Sequence, residues 1–281
     1  MNNQITIVFV SYFSKSKVLN YLKQFNDKFK VIIIENSKDL SLLKIVKKYK
    51  NVKVIINKKN IGFGASSNIG LRKVKTKYGL HLDLDTKFSN NSIIKLIKTA
   101  SKLDDFIIIG PKIQNYNYKS KDYLKKNYLK NLNLMNFIDG CCLLFNMNKI
   151  KRYGLFDENF FLYYEETDLF KRYLKFDQKI FMTENASIQH QGRSSSNEIY
   201  NIEIEINRNW HLLWSKFYYY KKHYNYFTAI CMISKSLFSS ALKIVIYTIL
   251  RNDFDKKIYL ARFSGAMNSI LKKKSWYRPE I

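Results

Sequence analysis

The sequence predicts an α/β protein with a mostly parallel central sheet flanked by helices and a helical extension at its C-terminal end. Strand-like and helix-like segments alternate at short intervals over the first 110 residues, which is typical of right-handed βαβ units. The strand-like runs are apolar throughout, as expected for strands that are buried on both faces. From about residue 197 onward the pattern is helical.

Five strands account for the alternation, and a helix follows each of the first four. We predict the strands at residues 4–10, 31–34, 52–56, 78–82 and 106–110. Ser89 or Asn90 is suited to cap the helix over residues 89–103. Later elements are a strand at 137–146, short helices at 148–153 and 165–175, and a strand at 179–183. Residues 113–136 lose the pattern and are expected to form a surface excursion.

Composition limits the class of protein. The chain has 281 residues, 46% of them hydrophobic, which suffices for one large domain or two closely packed halves. Three cysteines (Cys141, Cys142 and Cys231) provide neither a disulfide framework nor a zinc site. The first residues enter a strand directly, so we expect no signal peptide.

The net charge of +27 is open to two interpretations. It favours an anionic partner, such as nucleic acid, a lipid headgroup surface or a sugar nucleotide. Alternatively it reflects a compositional bias, because lysines are spread along the chain beside abundant Asn, Ile, Tyr and Phe. No nucleic-acid-binding module is recognised, so we expect no nucleic-acid partner.

Asp83 and Asp85 follow the fourth predicted strand. Carboxylates at positions i and i+2 of an extended chain point the same way, and together they can hold a hard divalent cation. Such a pair is also common by chance in turns. Ligands of parallel sheets bind outside the carboxyl ends of the strands, where other polar residues of this chain are expected to converge. These residues are Ser11, Tyr12, Glu35, Asn36 and Asn60.

A second acidic group, made of Glu165, Glu166 and Asp168, begins a predicted helix. Glu165 and Asp168 are i,i+3 neighbours on one helix face, and Glu166 points elsewhere. Acidic residues are generally favoured in a first helical turn, which is the simpler explanation. The flanking aromatic residues nevertheless provide surroundings in which a carboxylate can act as a general base.

Four ordered motifs resemble the family 2 glycosyltransferases with a GT-A fold, most closely their rhamnosyltransferase-like branch. The resemblance covers roughly residues 4–200. The motifs are the glycine-containing loop and helix at Asn60–Gly70, the D-x-D strand end at Asp83–Thr86, the acidic aromatic block at Phe156–Arg172, and the histidine motif at His190–Ser195.

The resemblance implies a nucleoside-diphosphate sugar as donor. An acidic group at Glu35 can accept hydrogen bonds from a ribose or a base edge, and the family more often has Asp there, so the identity of the donor stays open. Gly64 lies in the loop over the nucleotide, where glycine lets the backbone approach a ligand. The residues implied to contact the donor are Ser11, Tyr12, Glu35, Asn36, Asn60, Gly64, Asn68 and Asp83.

The resemblance also implies Mg²⁺ or Mn²⁺ and a direct displacement that inverts the anomeric configuration. Asp85 is the expected direct metal ligand, Asp83 is expected to contact the metal or the nucleotide, and His190 the metal or the diphosphate. Glu166 matches the position of the catalytic base, although many family members have Asp there. Glu165 and Asp168 are expected to position the acceptor or to hold the start of the helix.

These observations predict a catalytic domain at residues 1–205, with a nucleotide-sugar half at 1–112 and an acceptor half at 113–205. The expected acceptor is a hydroxyl of a surface polysaccharide, a glycan or a lipid-linked precursor. One alternative is a sugar-nucleotide nucleotidyltransferase, although the turn Ser11–Ser14 lacks the glycine-rich loop that such enzymes usually carry. The other alternative is a non-catalytic protein that binds anionic membrane surfaces.

Residues 206–281 are predicted to be a helical region for acceptor, membrane or oligomer contacts. Lys235 and Lys243 interrupt its longest apolar run, so we predict no transmembrane helix. Either the helices bind an anionic membrane, with the protein at the inner face of the cell membrane, or they pack within a cytoplasmic protein or its homodimer. The expected apolar stripe consists of Phe227, Ile230, Ser234, Leu237, Phe238, Ala241 and Val245.

Overall fold

The computed structural model describes residues 2–192 and 201–278, which fall into two compact units. The first unit comprises Met1–Ile61, Ser66–Phe156 and Leu169–Ser196. The second unit comprises Gly62–Ala65, Asp157–Asp168 and Asn197–Ile281.

Among the described residues, ten strands form one sheet in the first unit, in the order β3-β2-β1-β4-β9-β6-β10-β8-β7, with β5 paired to β10. The strands are β1 (Ile5–Ser11), β2 (Lys30–Glu35), β3 (Val52–Ile56), β4 (Tyr78–Leu82), β5 (Thr86–Lys87), β6 (Ile108–Ile113), β7 (Tyr123–Leu129), β8 (Leu132–Met135), β9 (Cys142–Asn146) and β10 (Ile180–His190).

Helices of the described residues separate these strands and continue after them. They are α1 (Lys15–Phe25), α2 (Ser41–Val46), α3 (Phe63–Arg72), α4 (Asn90–Ala100), α5 (Met147–Tyr153), α6 (Glu165–Lys175), α7 (Asn201–His223), α8 (Tyr226–Ile249) and α9 (Asp253–Ile270). The predicted cap of α4 is confirmed, because the side chain of Ser89 accepts a hydrogen bond from the N–H of Ser92 at 3.1 Å.

The predicted α/β class is confirmed. Four neighbouring strands of the sheet, β3, β2, β1 and β4, are parallel. β1 pairs parallel with β2 and with β4, and β2 pairs parallel with β3. Beyond them β9 runs antiparallel to both β4 and β6. This reversal matters for function, because it brings the amino end of β9 to the same sheet edge as the carboxyl end of β4.

Alternate residues of the central strands pack into two separate hydrophobic clusters, one for each face of the sheet. In β1, Ile7 and Phe9 belong to one cluster and Val8 to the other. Helices α1, α2 and α4 contribute to the first cluster, and α5 and α6 to the second. The sheet is therefore covered on both faces, which explains why its strands are apolar throughout.

The segment predicted as a surface excursion contains two further strands. β7 and β8 form an antiparallel hairpin, and β8 also pairs with β10. β7 lies at the edge of the sheet with most of its residues exposed, including Lys125 and Lys126. Lysines on an edge strand discourage pairing with another chain, and they also hide the alternation that would have predicted the strand.

The second unit is built on three long helices, α7 to α9. Trp210 and Trp214 of α7 pack with Ile258 and Ala261 of α9. Leu213 and Phe217 of α7 pack with Ala229 and Ile233 of α8 and with Ala266 of α9. The helical C-terminal region predicted from sequence is therefore present as a packed group of helices.

Helix α8 differs from its neighbours in the described part of the chain. By length and composition it is the one helix there that could cross a membrane, and it carries only the two lysines noted above, Lys235 and Lys243. The predicted apolar stripe is divided between two faces, since Ile230 and Leu237 pack against the core of the second unit while Phe227 and Phe238 are exposed.

Candidate metal and nucleotide site

Asp83 and Asp85 lie where they were predicted, in the tight turn that follows β4. The N–H of Asp83 donates to the carbonyl of Cys141 at 2.8 Å, and the N–H of Thr86 donates to the carbonyl of Asp83 at 3.2 Å. Asp85 is buried and Asp83 is half-buried. The imidazole Nε2 of His81, on β4 itself, lies 3.0 Å from Oδ1 of Asp83.

His190 reaches this turn from the far end of β10. His190 pairs with Thr86 of β5 in the antiparallel ladder. The N–H of the next residue, Gln191, donates to the carbonyl of Asp85 at 2.9 Å. Asn115 fixes the backbone of His190 from the other side: its Oδ1 accepts from the His190 N–H at 3.0 Å and its Nδ2 donates to the His190 carbonyl at 2.6 Å. The histidine is therefore held at the turn by its backbone.

The imidazole of His190 lies between two carboxylates. Nε2 is 3.2 Å from Oδ1 of Asp85, and Nδ1 is 3.3 Å from Oδ1 of Asp139. Hydrogen bonds to Asp139 and, to a smaller extent, to Asp85 raise the pKa of His190 to about 10, although burial acts in the opposite direction. In the absence of a metal ion the imidazolium thus supplies the positive charge between these two carboxylates.

The donor set fits a divalent cation of the Mn²⁺ or Mg²⁺ type. One ligand atom from each of Asp83, Asp85 and His190 lies within 4.8 Å of the others. Oδ1 of Asp85 is buried and, apart from its ion-pair contact with His190, makes no hydrogen bond within the described residues. Burial raises the pKa of Asp83, so a cation there would favour its charged form. Carboxylate oxygens with one imidazole suit these metals.

Asp139 and His81 are site residues that the sequence analysis missed. Asp139 precedes β9, and its Oδ1 accepts a hydrogen bond from the N–H of Cys141 at 2.9 Å. A second group of potential metal ligands, Asp139, Cys141 and His190, overlaps the first through the histidine. No local sequence signal marks Asp139, because its position at the site depends on β9 running antiparallel to β4.

The predicted nucleotide residues at the ends of β1 and β2 are joined by hydrogen bonds. The N–H of Asn36 donates to the carbonyl of Ser11 at 2.8 Å. Oγ of Ser11 is buried and makes no hydrogen bond within the described residues, so it is available to a ligand. The carboxylate of Glu35 is buried and accepts from the N–H of Ser37 at 2.6 Å and from its hydroxyl.

The side chain of Asn36 extends this group to the next strand and helix. Its Nδ2 donates to Oγ of Ser66 in α3 at 2.8 Å, and its Oδ1 accepts from Nδ2 of Asn57, just after β3, at 2.7 Å. Tyr12 is half-buried and its ring lies edge-on to that of Phe13, with centroids 4.7 Å apart. These contacts bring Ser11, Glu35 and Asn36 together at one sheet edge, as the parallel topology predicts.

The three predicted loop residues have different surroundings. Asn60 is half-buried in the loop after β3, and Gly64 is buried in the first turn of α3, within the second unit. Asn68 is buried and holds the backbone of Phe156: its Nδ2 donates to the Phe156 carbonyl at 2.9 Å and its Oδ1 accepts from the Phe156 N–H at 3.1 Å. For Asn68 the structure thus provides a clear packing role.

The acidic cluster of the second unit begins α6, as predicted. Glu165 and Asp168 are buried and Glu166 is half-buried. Tyr163 and Tyr164 precede the helix with φ angles of 68° and 67°, which is left-handed backbone that non-glycine residues seldom adopt. Strain of this kind is commonly found at functional sites, where the surrounding structure holds it in place.

Asp168 is paired with two basic groups of α7. Its Oδ1 lies 2.6 Å from Nζ of Lys222 and 2.8 Å from Nε2 of His223. Lys222 also contacts Asp157 at 2.7 Å. Burial alone would raise the pKa of Asp157, but hydrogen bonds from Lys222 and from Asn159 lower it. Asp168 therefore ties the start of α6 to α7.

One part of the predicted histidine motif cannot be placed. His190 to Gly192 are described, whereas Arg193 to Ser195 lie outside the described residues.

Comparison with known proteins places the chain in a family. The model of glycosyl transferase family 2 matches residues 7–173, more than half of the chain. The protein therefore belongs to glycosyl transferase family 2. No curated protein matches the sequence significantly.

Solved structures confirm the predicted GT-A fold. Mannosyltransferase PcManGT from Pyrobaculum calidifontis, in complex with GDP-Man and Mn²⁺, matches with a TM-score of 0.60 at 11% identity, over 98% of this chain and 89% of that one. TarS residues 1–349 from S. aureus, with UDP, matches at 0.54 and 11% identity, over 99% and 94%. GalNAc-T7 with UDP, GalNAc and Mn²⁺ matches at 0.56 and 14% identity, over 84% of this chain and 57% of that one. At these identities the likeness is one of fold.

Proposed function

We propose that this protein is an inverting, metal-dependent glycosyltransferase that moves a sugar, rhamnose or another hexose, from a nucleoside diphosphate to a hydroxyl group. The observation that carries the proposal is the group Asp83, Asp85 and His190 at the end of β4, in a domain of glycosyl transferase family 2. Similar folds hold GDP-Man or UDP, two of them with Mn²⁺, which supports a nucleotide-sugar donor.

The donor nucleotide would be bound by residues at the ends of β1 and β2, in the loop between β3 and α3, and in α3 itself. The hydroxyl of Ser11, which has no hydrogen-bond partner among the described residues, would meet a polar atom of the ligand. The Asn36 amide is held in one orientation by Asn57 and Ser66. A side chain fixed in this way does not lose further conformational freedom when the ligand binds. Tyr12, Glu35, Asn60, Gly64, Asn68 and Asp83 complete the proposed set.

Asp83, Asp85 and His190 would hold Mn²⁺ or Mg²⁺. When bound, the cation would offset the negative charge that develops on the departing nucleoside diphosphate. To serve as a ligand, His190 would give up the Nε2 proton that faces Asp85 and keep the Nδ1 proton that faces Asp139, because the ligating nitrogen must be unprotonated. We propose Asp85 as the principal ligand, since its buried Oδ1 contacts His190 but makes no hydrogen bond within the described residues.

Glu166 would act as the general base. The acceptor oxygen forms a bond to the anomeric carbon while the bond from that carbon to the diphosphate oxygen breaks, and Glu166 takes the proton of the acceptor hydroxyl. This single displacement inverts the anomeric configuration. The partial exposure of Glu166, beside the buried Glu165 and Asp168, leaves it the most accessible of the three carboxylates. Glu165 and Asp168 would position the acceptor or hold the helix.

The acceptor is proposed to be a growing surface polysaccharide, a glycan or its lipid-linked precursor. The reaction would then take place in the cytoplasm at the inner face of the cell membrane. Residues 1–205 would supply catalysis, and residues 206–281 contacts with the acceptor, with a membrane or with a second subunit.

A donor screen tests the proposal. Melting of the purified chain is followed with UDP-, GDP- and dTDP-sugars, each with and without Mn²⁺. We expect one nucleotide class to raise the melting temperature, and to do so mainly when Mn²⁺ is present. A chain stabilised by none of the donors, whose binding to anionic surfaces follows salt concentration alone, would contradict an enzymatic role.

A further inference from the structure

The outer side of α8 carries a row of exposed apolar side chains. At 100° per residue, Phe227, Phe238, Leu242, Val245 and Ile249 fall within an arc of about 60° on the helix. Phe227 and Ile249, at its two ends, are each 75% exposed, and Phe238 is 73% exposed. We call these five residues the outer stripe. The small exposed residues Cys231 and Ser234 lie on the same side of the helix.

The opposite side of α8 is already occupied. Ala229 and Ile233 are fully buried against Leu213 and Phe217 of α7 and against Ala266 of α9. Ser240 is also buried on this side, where its Oγ donates to the carbonyl of Ser236 at 2.7 Å. The outer stripe is thus a second apolar face, and it is not needed to hold the three helices together.

The outer stripe lies in a basic part of the chain. No Asp or Glu occurs between residues 226 and 250, and residues 206–281 contain 14 Lys and Arg against 3 Asp and Glu. Lys235 is exposed and borders the stripe, and Arg251 is exposed just beyond its C-terminal end. Leu250, just beyond α8, and Phe254, in the first turn of α9, are also exposed, by 65% and 46%.

We infer that the outer stripe of α8 binds the interfacial region of an anionic lipid bilayer. An apolar helix face with basic residues at its border matches such a surface, which offers acyl chains beneath a layer of negative charge. A second copy of this chain is a poorer match, because two surfaces of a protein with net charge +27 repel each other. The buried contacts of Ala229 and Ile233 favour a helix that lies in the interface, since a spanning helix would have to give them up.

The inference rests on the proposed function for its purpose, since a lipid-linked acceptor would be met at such a surface. Binding to vesicles is nevertheless measured without donor or acceptor, so it can fail or succeed independently of catalysis. Mn²⁺-dependent donor binding in solution reports on the proposed function alone.

Flotation of the full chain with vesicles of neutral phosphatidylcholine, or of phosphatidylcholine with 30% phosphatidylglycerol, tests the inference. We expect the wild type to float with the anionic vesicles, and the double variant Phe238→Ser, Ile249→Ser to bind them at least tenfold more weakly. The matched control is Leu124→Ser with Phe176→Ser, which removes two apolar side chains of the first unit that are also more than half exposed. This control should bind as the wild type does. Melting curves of all three proteins establish that they are folded.

Several results would overturn the inference. The first is a wild type that binds neither kind of vesicle, and the second is an outer-stripe variant that binds as well as its control. The third is protein that stays with the vesicles after extraction at pH 11, which would indicate a spanning helix. A wild-type dimer that the outer-stripe variant converts to a monomer would assign the stripe to a second subunit instead.

Discussion

The Nδ1 atom of His190 lies 3.3 Å from Oδ1 of Asp139, on the side of the imidazole that faces away from Asp85. An Nδ1–H that donates to Asp139 leaves Nε2 as the nitrogen available to a metal ion beside Asp85. Carboxylates in this position fix the tautomer and the orientation of a ligating histidine. Burial opposes the charged form of Asp139, but the hydrogen bond from His190 prevails and lowers the pKa of Asp139.

Replacing Asp139 should therefore weaken metal binding without removing a ligand. For Asp139→Asn we expect Mn²⁺ affinity to fall by about 10- to 100-fold, the usual effect of losing such a partner. Titration calorimetry, or the electron paramagnetic resonance signal of free Mn²⁺, measures this affinity without any substrate. Asp104→Asn, a change at an exposed carboxylate of the same unit, is the control and should leave the affinity unchanged. Equal affinities for the two variants would contradict the role of Asp139.

Replacing Glu166 tests the proposed base. Glu166→Gln keeps the size of the side chain but cannot accept the proton, so we expect transfer to slow by about 10²- to 10⁴-fold while donor affinity stays unchanged. Glu158→Gln is the matched control, because Glu158 is an exposed glutamate in the same sequence block. Single-turnover transfer rates and donor dissociation constants separate the two effects. Full transfer activity in Glu166→Gln would rule out its role as base.

Gly265 lies at a close approach between α7 and α9. A Cβ at this position would lie 2.0 Å from the backbone carbonyl oxygen of Trp210. Gly265→Ala must therefore push the two helices apart, and we expect it to lower the free energy of unfolding by about 3 kcal/mol, the upper part of the range for overpacking. Urea titration measures the loss. Ser234→Ala, on the exposed side of α8, should change stability by less than about 0.5 kcal/mol.

His211 should make the second unit sensitive to acid. Its ring is fully buried, stacks on Phe161 with centroids 4.4 Å apart, and has Nε2 3.0 Å from the carbonyl of Tyr277. Burial lowers the pKa of His211 to about 3. The unfolded chain, with an ordinary histidine pKa of about 6.5, binds the proton first, so this contribution to stability is complete above pH 6.5 and is lost as the pH falls towards 3.

The size of the effect follows from linkage. At pH 5 the folded state should have lost about 2 kcal/mol of stability through His211. Denaturant titrations at pH 7 and pH 5 measure the loss. In His211→Gln we expect lower stability at pH 7 but a smaller difference between the two pH values. A variant with the same pH dependence as the wild type would show that other groups cause the acid sensitivity.

Strand ends were the most predictable part of the site. Asp83 and Asp85 follow a strand whose predicted limits, 78–82, are those of β4, and the parallel order of β1, β2 and β4 follows from the alternation of elements. Ser11, Glu35 and Asn36 meet at one edge for the same reason. Local sequence patterns do not predict the position of residues that reach the site from distant segments of the chain.

Asp139 illustrates this limit. The sequence pattern predicts a strand over residues 137–146 that includes Asp139, but β9 begins only at Cys142. The direction of β9 relative to β4 depends on pairing between segments some 60 residues apart, which a local pattern does not reveal. His190 was identified through the family motif, and only the long strand β10 explains how it reaches Asp85. The single apolar stripe predicted for α8 is divided in the structure, because helix periodicity does not separate Ile230 and Leu237, which pack inward, from the exposed Phe227 and Phe238.

The proposed function depends on a divalent cation that Asp83, Asp85 and His190 would bind together with the donor diphosphate. The most direct measurement is the dissociation constant of the donor selected by the screen, with and without Mn²⁺, for the wild type and for Asp85→Asn. We predict that Mn²⁺ tightens donor binding at least tenfold in the wild type and has no effect in the variant. An Asp85→Asn protein that keeps the full gain from Mn²⁺ would contradict the proposed site.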